Sequence, residues 1–367
     1  MTTIINGSSP SITFSDGSAQ ISATRPFQNR IINGAMTIDQ RNAGASVTAT
    51  TSSPYTLDRW YAQATVNSKY TVQQNAGAVT PPVGFSNYLG ATSSAATVLA
   101  AGDYYCISQG IEGFNIADLA WGTANAKTVT LSFQVYSSQI GTFGGSLWTG
   151  NSGAYVPFSY SIPTANTWTN ISVTIAGPTI GSWYTNSSNG VTLNFSLGAG
   201  TTYSGGIAGT WSSTLYIQPS GCVNIVTFSG ATFYITGVQL EVGSTATSFD
   251  YRSIGTELNL CYRYYYQLGG DTAYQSINTV AWYTTADAVG YFSYPVTMRI
   301  PPNISKTGTW VTLGGGGTVG QTVSADQLGN KTVQLGFGAG SGGTTGQAST
   351  LRANNDTSLR VTFNAEL

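Results

Sequence analysis

Four long stretches of the chain alternate between apolar and polar residues with a period of two. They are KTVTLSFQVYSS (Lys127 to Ser138), WTNISVTIAG (Trp168 to Gly177), GVTLNFSLGAG (Gly190 to Gly200) and ATFYITGVQLEVG (Ala231 to Gly243). Each sets β-branched or aromatic residues on one face and Thr, Ser or Asn on the other, bounded by Gly, Pro or Asn, which is the pattern of a half-buried strand. Strands of this kind build antiparallel sandwiches with one face on a core and one toward water. The fold class expected is therefore all-β. One stretch, SIGTELNLCYRYYY from Ser253 to Tyr266, has helical spacing, with Ser253 or Thr256 as N-cap and Leu258, Cys261 and Tyr265 on one face.

The pattern divides the chain into an N-terminal arm (1–28), a β-sandwich (29–252) and a smaller C-terminal β domain (253–367) that opens with the short helix. The arm alternates in part, at Ile12 and Phe14, and holds an Asp-Gly turn signal, as a strand donated to a neighbouring protein would. The last segment, SLRVTFNAEL, alternates through Leu359, Val361 and Phe363 and is expected to be tied down as a strand rather than to fray.

Composition narrows the function. Of 367 residues only 7% are charged, against about 25% in ordinary soluble domains. Ser, Thr, Asn and Gln supply the polar surface instead, and 22 Tyr and 8 Trp add large apolar faces with polar tips. No window approaches the roughly 20 apolar residues of a bilayer span, and the first residues lack the basic start and apolar run of a secretory signal, so synthesis in a cytosol is expected. With 13 basic and 14 acidic residues the net charge is −1, which offers no attraction to nucleic acid or an anionic membrane. Cys106, Cys222 and Cys261 are odd in number and far apart, the usage of small buried hydrophobes rather than of a disulfide framework or zinc site.

Histidine is absent, which removes Ser-His-Asp and Cys-His nucleophile systems and His-containing zinc sites. A glycosidase or depolymerase needs two facing carboxylates, yet no charged residue occurs between Thr128 and Leu240. The candidates are Asp39, Asp58, Asp103, Glu112, Asp118, Glu241 and Asp250, and the expectation is no enzyme. Isolated acids in so uncharged a chain serve as paired or hydrogen-bonded structural groups, and Asp39 lies near Arg41 and Asp58 beside Arg59. No cofactor is implied; calcium, held by carboxylates and loop carbonyls, is the one structural cation the composition admits.

Binding needs no acids. Aromatic rings stack on the apolar face of a sugar while amides and hydroxyls bond its hydroxyls. Three segments rich in Gly, Asn and Ser read as loops and carry such rings: Trp148 and Tyr155, Trp183 and Tyr184, and Tyr203 and Trp211. These rings either contact a ligand, plug the ends of the sandwich or bury at a subunit contact.

NRIINGAMTIDQRNAG (Asn29 to Gly44), YTLDRW (Tyr55 to Trp60), VTPPVGFSNYLG (Val79 to Gly90), QGIEGFNIADLAWGTANAKTVTLSF (Gln109 to Phe133) and FYITGVQLEVGSTATSF (Phe233 to Phe249) together resemble a module of phage tail-fibre and related virion proteins, notably of cyanophages. GTELNLCYRYYY, YPVTMRIPP and FNAEL resemble the small β domain that often follows it. The opening stretch also looks like the first strand of a carbohydrate-binding jelly roll, and QLEVG like its closing strand. The resemblance implies a jelly roll whose first and last strands meet, bringing Asp39, Arg41, Asp58, Arg59 and Glu241 together as fold-holding ion pairs. It further implies a homotrimeric virion adhesin, at the tail or capsid exterior, for a host surface glycan. On that reading the arm engages other tail or capsid proteins. The alternatives are a capsid-decorating or tail-assembly protein without ligand and, behind it, a capsule depolymerase.

Overall fold

The computed structural model describes residues 27–314, 317, 319–338 and 340–367 in full, and the backbone of Ile4–Asn6, Ser11–Thr13 and Ala19–Gln20 before them. These three short strands pair with one another in an antiparallel sheet. The expected donation of the arm, with its Ile12 and Phe14 face and Asp-Gly turn, concerns side chains and turns outside the described residues.

Two six-stranded antiparallel sheets form a jelly-roll sandwich. In spatial order one runs Thr169–Ile175, Val129–Ser137, Thr232–Val242, Leu89–Ser93, Tyr70–Gln74, Val47–Thr48; the other runs Tyr155–Ile162, Gly141–Thr149, Asn189–Ala199, Tyr104–Glu112, Trp60–Ala64, Tyr55–Leu57. The four alternating stretches read from the sequence are all strands, and their apolar faces meet in one core around Trp60, Phe143, Phe158, Phe195 and Phe233. The stretch from Asn29 lies beside the closing strand without being a regular strand itself: Arg30 N–H donates to Leu240 O (3.0 Å), and the Asn29 side chain bonds Val238 and Leu240.

The helix spans Ile254–Tyr262, capped by Ser253, whose Oγ accepts from Thr256 N–H at 3.4 Å. It stops short of Tyr266 because Tyr265–Leu268 is extended and pairs with Arg360–Asn364; a run of three tyrosines suits a pleated surface better than a helix turn. Arg360–Asn364 is the middle strand of a three-stranded sheet completed by Asn303–Thr307, so the C-terminal segment is held on both edges. A third six-stranded sheet, with Ser276–Trp282 and Ala288–Ser293 at its centre, closes a separate core of Trp282, Trp310, Phe337 and Phe363.

Where these two cores meet, the charged residues gather with partners other than those expected. Arg41 and Arg59 both pair with Glu366, the former at 2.8 Å, and their guanidinium groups lie 3.6 Å from the ring centres of Tyr265 and Tyr264. Asp39 instead accepts from the backbone of Asn42 and Gly44, and Asp58 accepts twice from Gln40, each at 2.7 Å. Glu241 accepts from Thr247 N–H and Oγ1 and from Gln239. The pairing has a simple cause: a fully buried Arg59 needs a carboxylate that can reach the same dry site, and its sequence neighbour Asp58 points the other way, to Gln40.

Candidate binding groove

The three strands Thr169–Ile175, Val129–Ser137 and Thr232–Val242 turn Ile171, Phe133 and Ile235 and their alternates toward the core. The intervening side chains therefore share the outer face. Register places them in four lateral rows: Trp168, Tyr136 and Tyr234; Asn170, Gln134 and Thr236; Ser172, Ser132 and Gln239; Thr174, Thr130 and Glu241.

The first row is aromatic. Tyr136 and Tyr234 stack at 5.4 Å, and Trp168 lies 5.5 Å from both Tyr136 and Tyr88. Burial pushes the phenols of Tyr88 and Tyr234 up, so both remain neutral hydroxyls.

The middle rows carry free amide and hydroxyl side chains. Thr236 donates to Asn87 O, Thr130 to Gly243 O and Thr174 to Ser244 O, while Gln239 and Glu241 bond each other. Among the described residues, the side chains of Gln134, Asn170, Ser132 and Ser172 have no hydrogen-bond partner. They line a cavity of about 420 Å³, within the size range of small-molecule sites.

A ridge of three rings forms one wall. Phe85, Phe249 and Tyr251 lie 4.9 to 5.6 Å from one another, and Tyr251 is 60% exposed. Two glycines make the ridge fit. Gly237, at the bulge opposite Phe133, has φ +62°, and a Cβ there would stand 2.6 Å from Phe85 Cζ; Gly84 (φ +93°) leaves the same space for the Tyr251 hydroxyl. Behind the ridge is a second cavity of about 300 Å³, lined in part by Asp250, Arg252 and Glu257. Its charges are spent on one another: Arg252 pairs with Asp250 (3.7 Å) and Glu257 (3.4 Å) and donates to Ile31 O and Asn29 O.

The outer face of the opposite sheet is polar too, but closed. Ser108 bonds Asn194 (2.7 Å), Asn194 bonds Ser146, and Ser196 bonds Gln218, all buried. The chain from Tyr203 to Ile217 covers it at one end and Leu367 approaches Gly110 at the other.

The six aromatic residues singled out in the sequence lie away from the groove. Trp148 and Tyr155 are strand residues paired across one hairpin, not loop residues, because the strands Gly141–Thr149 and Tyr155–Ile162 extend to include them. Trp148 and Tyr203 pack with Tyr104, Leu215 and Ile217. Trp183 and Trp211 form an edge-to-face trio with buried Trp121, at 4.9 to 5.6 Å, and their indole N–H groups donate to Ile180 O and Ala176 O. Tyr184 is half-buried, its carbonyl against Gly113.

The candidate carboxylates are likewise engaged. Glu112 holds Arg263 and the Tyr264 hydroxyl, Asp118 holds Arg30, and Asp103 accepts from Ala100 N–H. Burial pushes Asp58 up to about 6. Among the described residues no three Asp, Glu, Cys or His side chains gather as a metal-binding set, so calcium would have to draw on carbonyls. The three cysteines are buried and unpaired. Among the described residues no helix is long and apolar enough to cross a membrane.

The groove residues were missed because the strands KTVTLSFQVYSS and WTNISVTIAG show which residues point outward, but not that these strands are neighbours. The ridge residues Phe85 and Phe249, by contrast, sit inside the quoted motifs VTPPVGFSNYLG and FYITGVQLEVGSTATSF.

Neither a protein-family model nor a curated protein matches the chain. Solved structures similar to it include the enzymatically active domain of tailspike protein 4 from bacteriophage CBA120, at 15% identity and TM-score 0.32 over 60% of this chain and 22% of that one. The family 11 carbohydrate-binding module from Clostridium thermocellum, in complex with a mixed-linked tetrasaccharide, is similar at 12% identity and TM-score 0.28, over 56% of this chain and all of that one. The carbohydrate-binding module TmCBM61, in complex with β-1,4-galactotriose, is similar at 8% identity and TM-score 0.27, over 50% of this chain and 88% of that one.

Proposed function

We propose that this chain is a non-catalytic adhesin of a phage virion, of the cyanophage tail-fibre type, that binds a host surface glycan in the groove between the aromatic row and the Phe85–Phe249–Tyr251 ridge. The observation that carries the binding is the set of free amides and hydroxyls on Gln134, Asn170, Ser132 and Ser172, walled by the Phe85–Phe249–Tyr251 rings and next in register to the aromatic row. Here such groups gather in one open cavity beside a wall of aromatic rings, the combination that holds a sugar ring. No carboxylate lines the groove, which supports binding without hydrolysis.

The placement in a virion is supported by the motif resemblance. With it go the tail or capsid exterior as location after synthesis in the host cytoplasm, a homotrimer, and attachment to other virion proteins through the arm. Each neutral hydrogen bond contributes only about 1 kcal/mol net, so one groove binds weakly and several copies on a particle act together. The test is adhesion of the purified protein to intact host cells and to their extracted surface polysaccharide, beside a Gln134→Ala/Asn170→Ala variant. Wild-type binding that the variant loses at unchanged melting temperature is expected. A variant that binds like the wild type would refute the site.

A further inference from the structure

Resting on that reading, we infer that the groove accepts a neutral polysaccharide and excludes acidic ones, whether uronates, sialates or sulfated sugars. The inner surface presents amides, hydroxyls, rings, aliphatic side chains and backbone, with no Lys, Arg, Asp or Glu among its lining residues. An anionic sugar lying on this surface gives up part of its hydration and meets no cation in return, whereas a neutral sugar loses no charge solvation.

The adjoining cavity does not supply the missing cation. Arg252, the one positive group on its wall, is already bonded to two carboxylates and two carbonyls. Withdrawing it would strip Glu257, 9% exposed, of its charge partner. On the other flank the nearest acid, Glu241, is 3% exposed and bonded to Thr247 and Gln239. It adds negative potential at the fourth row and so opposes an anion further. Selection here comes from what is withheld, an unpaired charge for the wrong ligand.

The experiment is affinity electrophoresis and calorimetry of the full chain against neutral polymers (mixed-linkage β-glucan, galactan, xylan, dextran, mannan) and acidic ones (alginate, polygalacturonate, hyaluronate), each at 20 mM and 500 mM NaCl. Expected is retention by one or more neutral polymers, with affinity changed less than about twofold between the salts and lost in Gln134→Ala/Asn170→Ala. Retention by an acidic polymer that the double variant abolishes overturns the inference and leaves the glycan-binding site standing, most clearly if affinity drops tenfold or more with salt. Retention by either class that the double variant leaves intact overturns both, as does failure of every polymer to be retained.

Discussion

Arg59 and Glu366 are 307 positions apart in sequence and form an ion pair from which water is excluded, Arg59 being 1% and Glu366 4% exposed at the side chain. Arg41 shares the same carboxylate, and Arg299 donates to the carbonyls of Ala365 and Glu366 from the other side. Few charges are present in this chain, and this junction between its two cores is where several of them are spent.

Removing one partner of a buried pair leaves the other charge unpaired, at a cost of about 3–5 kcal/mol. Glu366→Ala strands two guanidinium groups and is expected to lower the urea unfolding midpoint accordingly, with Arg59→Ala smaller because Arg41 keeps Glu366 paired. A midpoint unchanged by Glu366→Ala would show that the junction does not contribute to stability.

Asp58 gives the junction a pH dependence. Burial raises its carboxyl from 3.8 to about 6, against the lowering effect of Arg41 and the Gln40 bonds. The folded chain thus holds this proton more tightly than the unfolded one. Its ionisation disfavours folding above about pH 6, and that penalty is relieved as pH falls toward 4, by about 2–3 kcal/mol. Unfolding measured from pH 4 to 7 should therefore show wild type gaining stability relative to Asp58→Asn as pH falls. Parallel curves would contradict the burial effect.

The limits of the sequence are instructive at these residues. Period-two alternation marked the long strands, and the Leu359, Val361, Phe363 pattern marked the last strand, because local spacing alone decides which face is apolar. IDQR and LDRW were legible as special but not in their partners. A pair between Arg59 and Glu366 depends on how two cores dock, which no local pattern contains. Likewise Gln134 and Asn170 each read as outward-facing, and only sheet order makes them neighbours. Tryptophans drew attention as sugar platforms, yet Trp183 and Trp211 satisfy their indole N–H groups within the fold and pack on Trp121.

That packing separates stability from binding. Trp183→Ala removes two edge-to-face contacts and part of the sandwich end, with an expected loss of about 2 kcal/mol, below the fully buried range because the ring is half-exposed. Polysaccharide affinity should stay within twofold of wild type in the folded variant. A folded Trp183→Ala that no longer binds would move the site to the Trp121 end.

Gly237 couples the sheet to the ridge. A methyl group there meets Phe85 and an unfavourable φ of +62° at once, so Gly237→Ala is expected to cost about 1–3 kcal/mol and to weaken polysaccharide binding by displacing Phe85. Phe85→Ala in the same background, which removes the clash, should recover part of the stability but none of the binding. Full binding by folded Gly237→Ala would show that the ridge is not a wall of the site.

The most direct measurement is an NMR titration of the isotopically labelled protein with oligosaccharides cut from the polysaccharide it retains, following the side-chain amides of Gln134 and Asn170 beside the indole N–H groups of Trp148, Trp183 and Trp211. Shifts at Gln134 and Asn170, with Tyr251 and Phe85 backbone signals moving and the three indoles still, are the predicted result. Shifts confined to the indoles, or to the sheet around Ser276–Trp282, would contradict a binding site on the outer face of the Val129–Ser137 sheet.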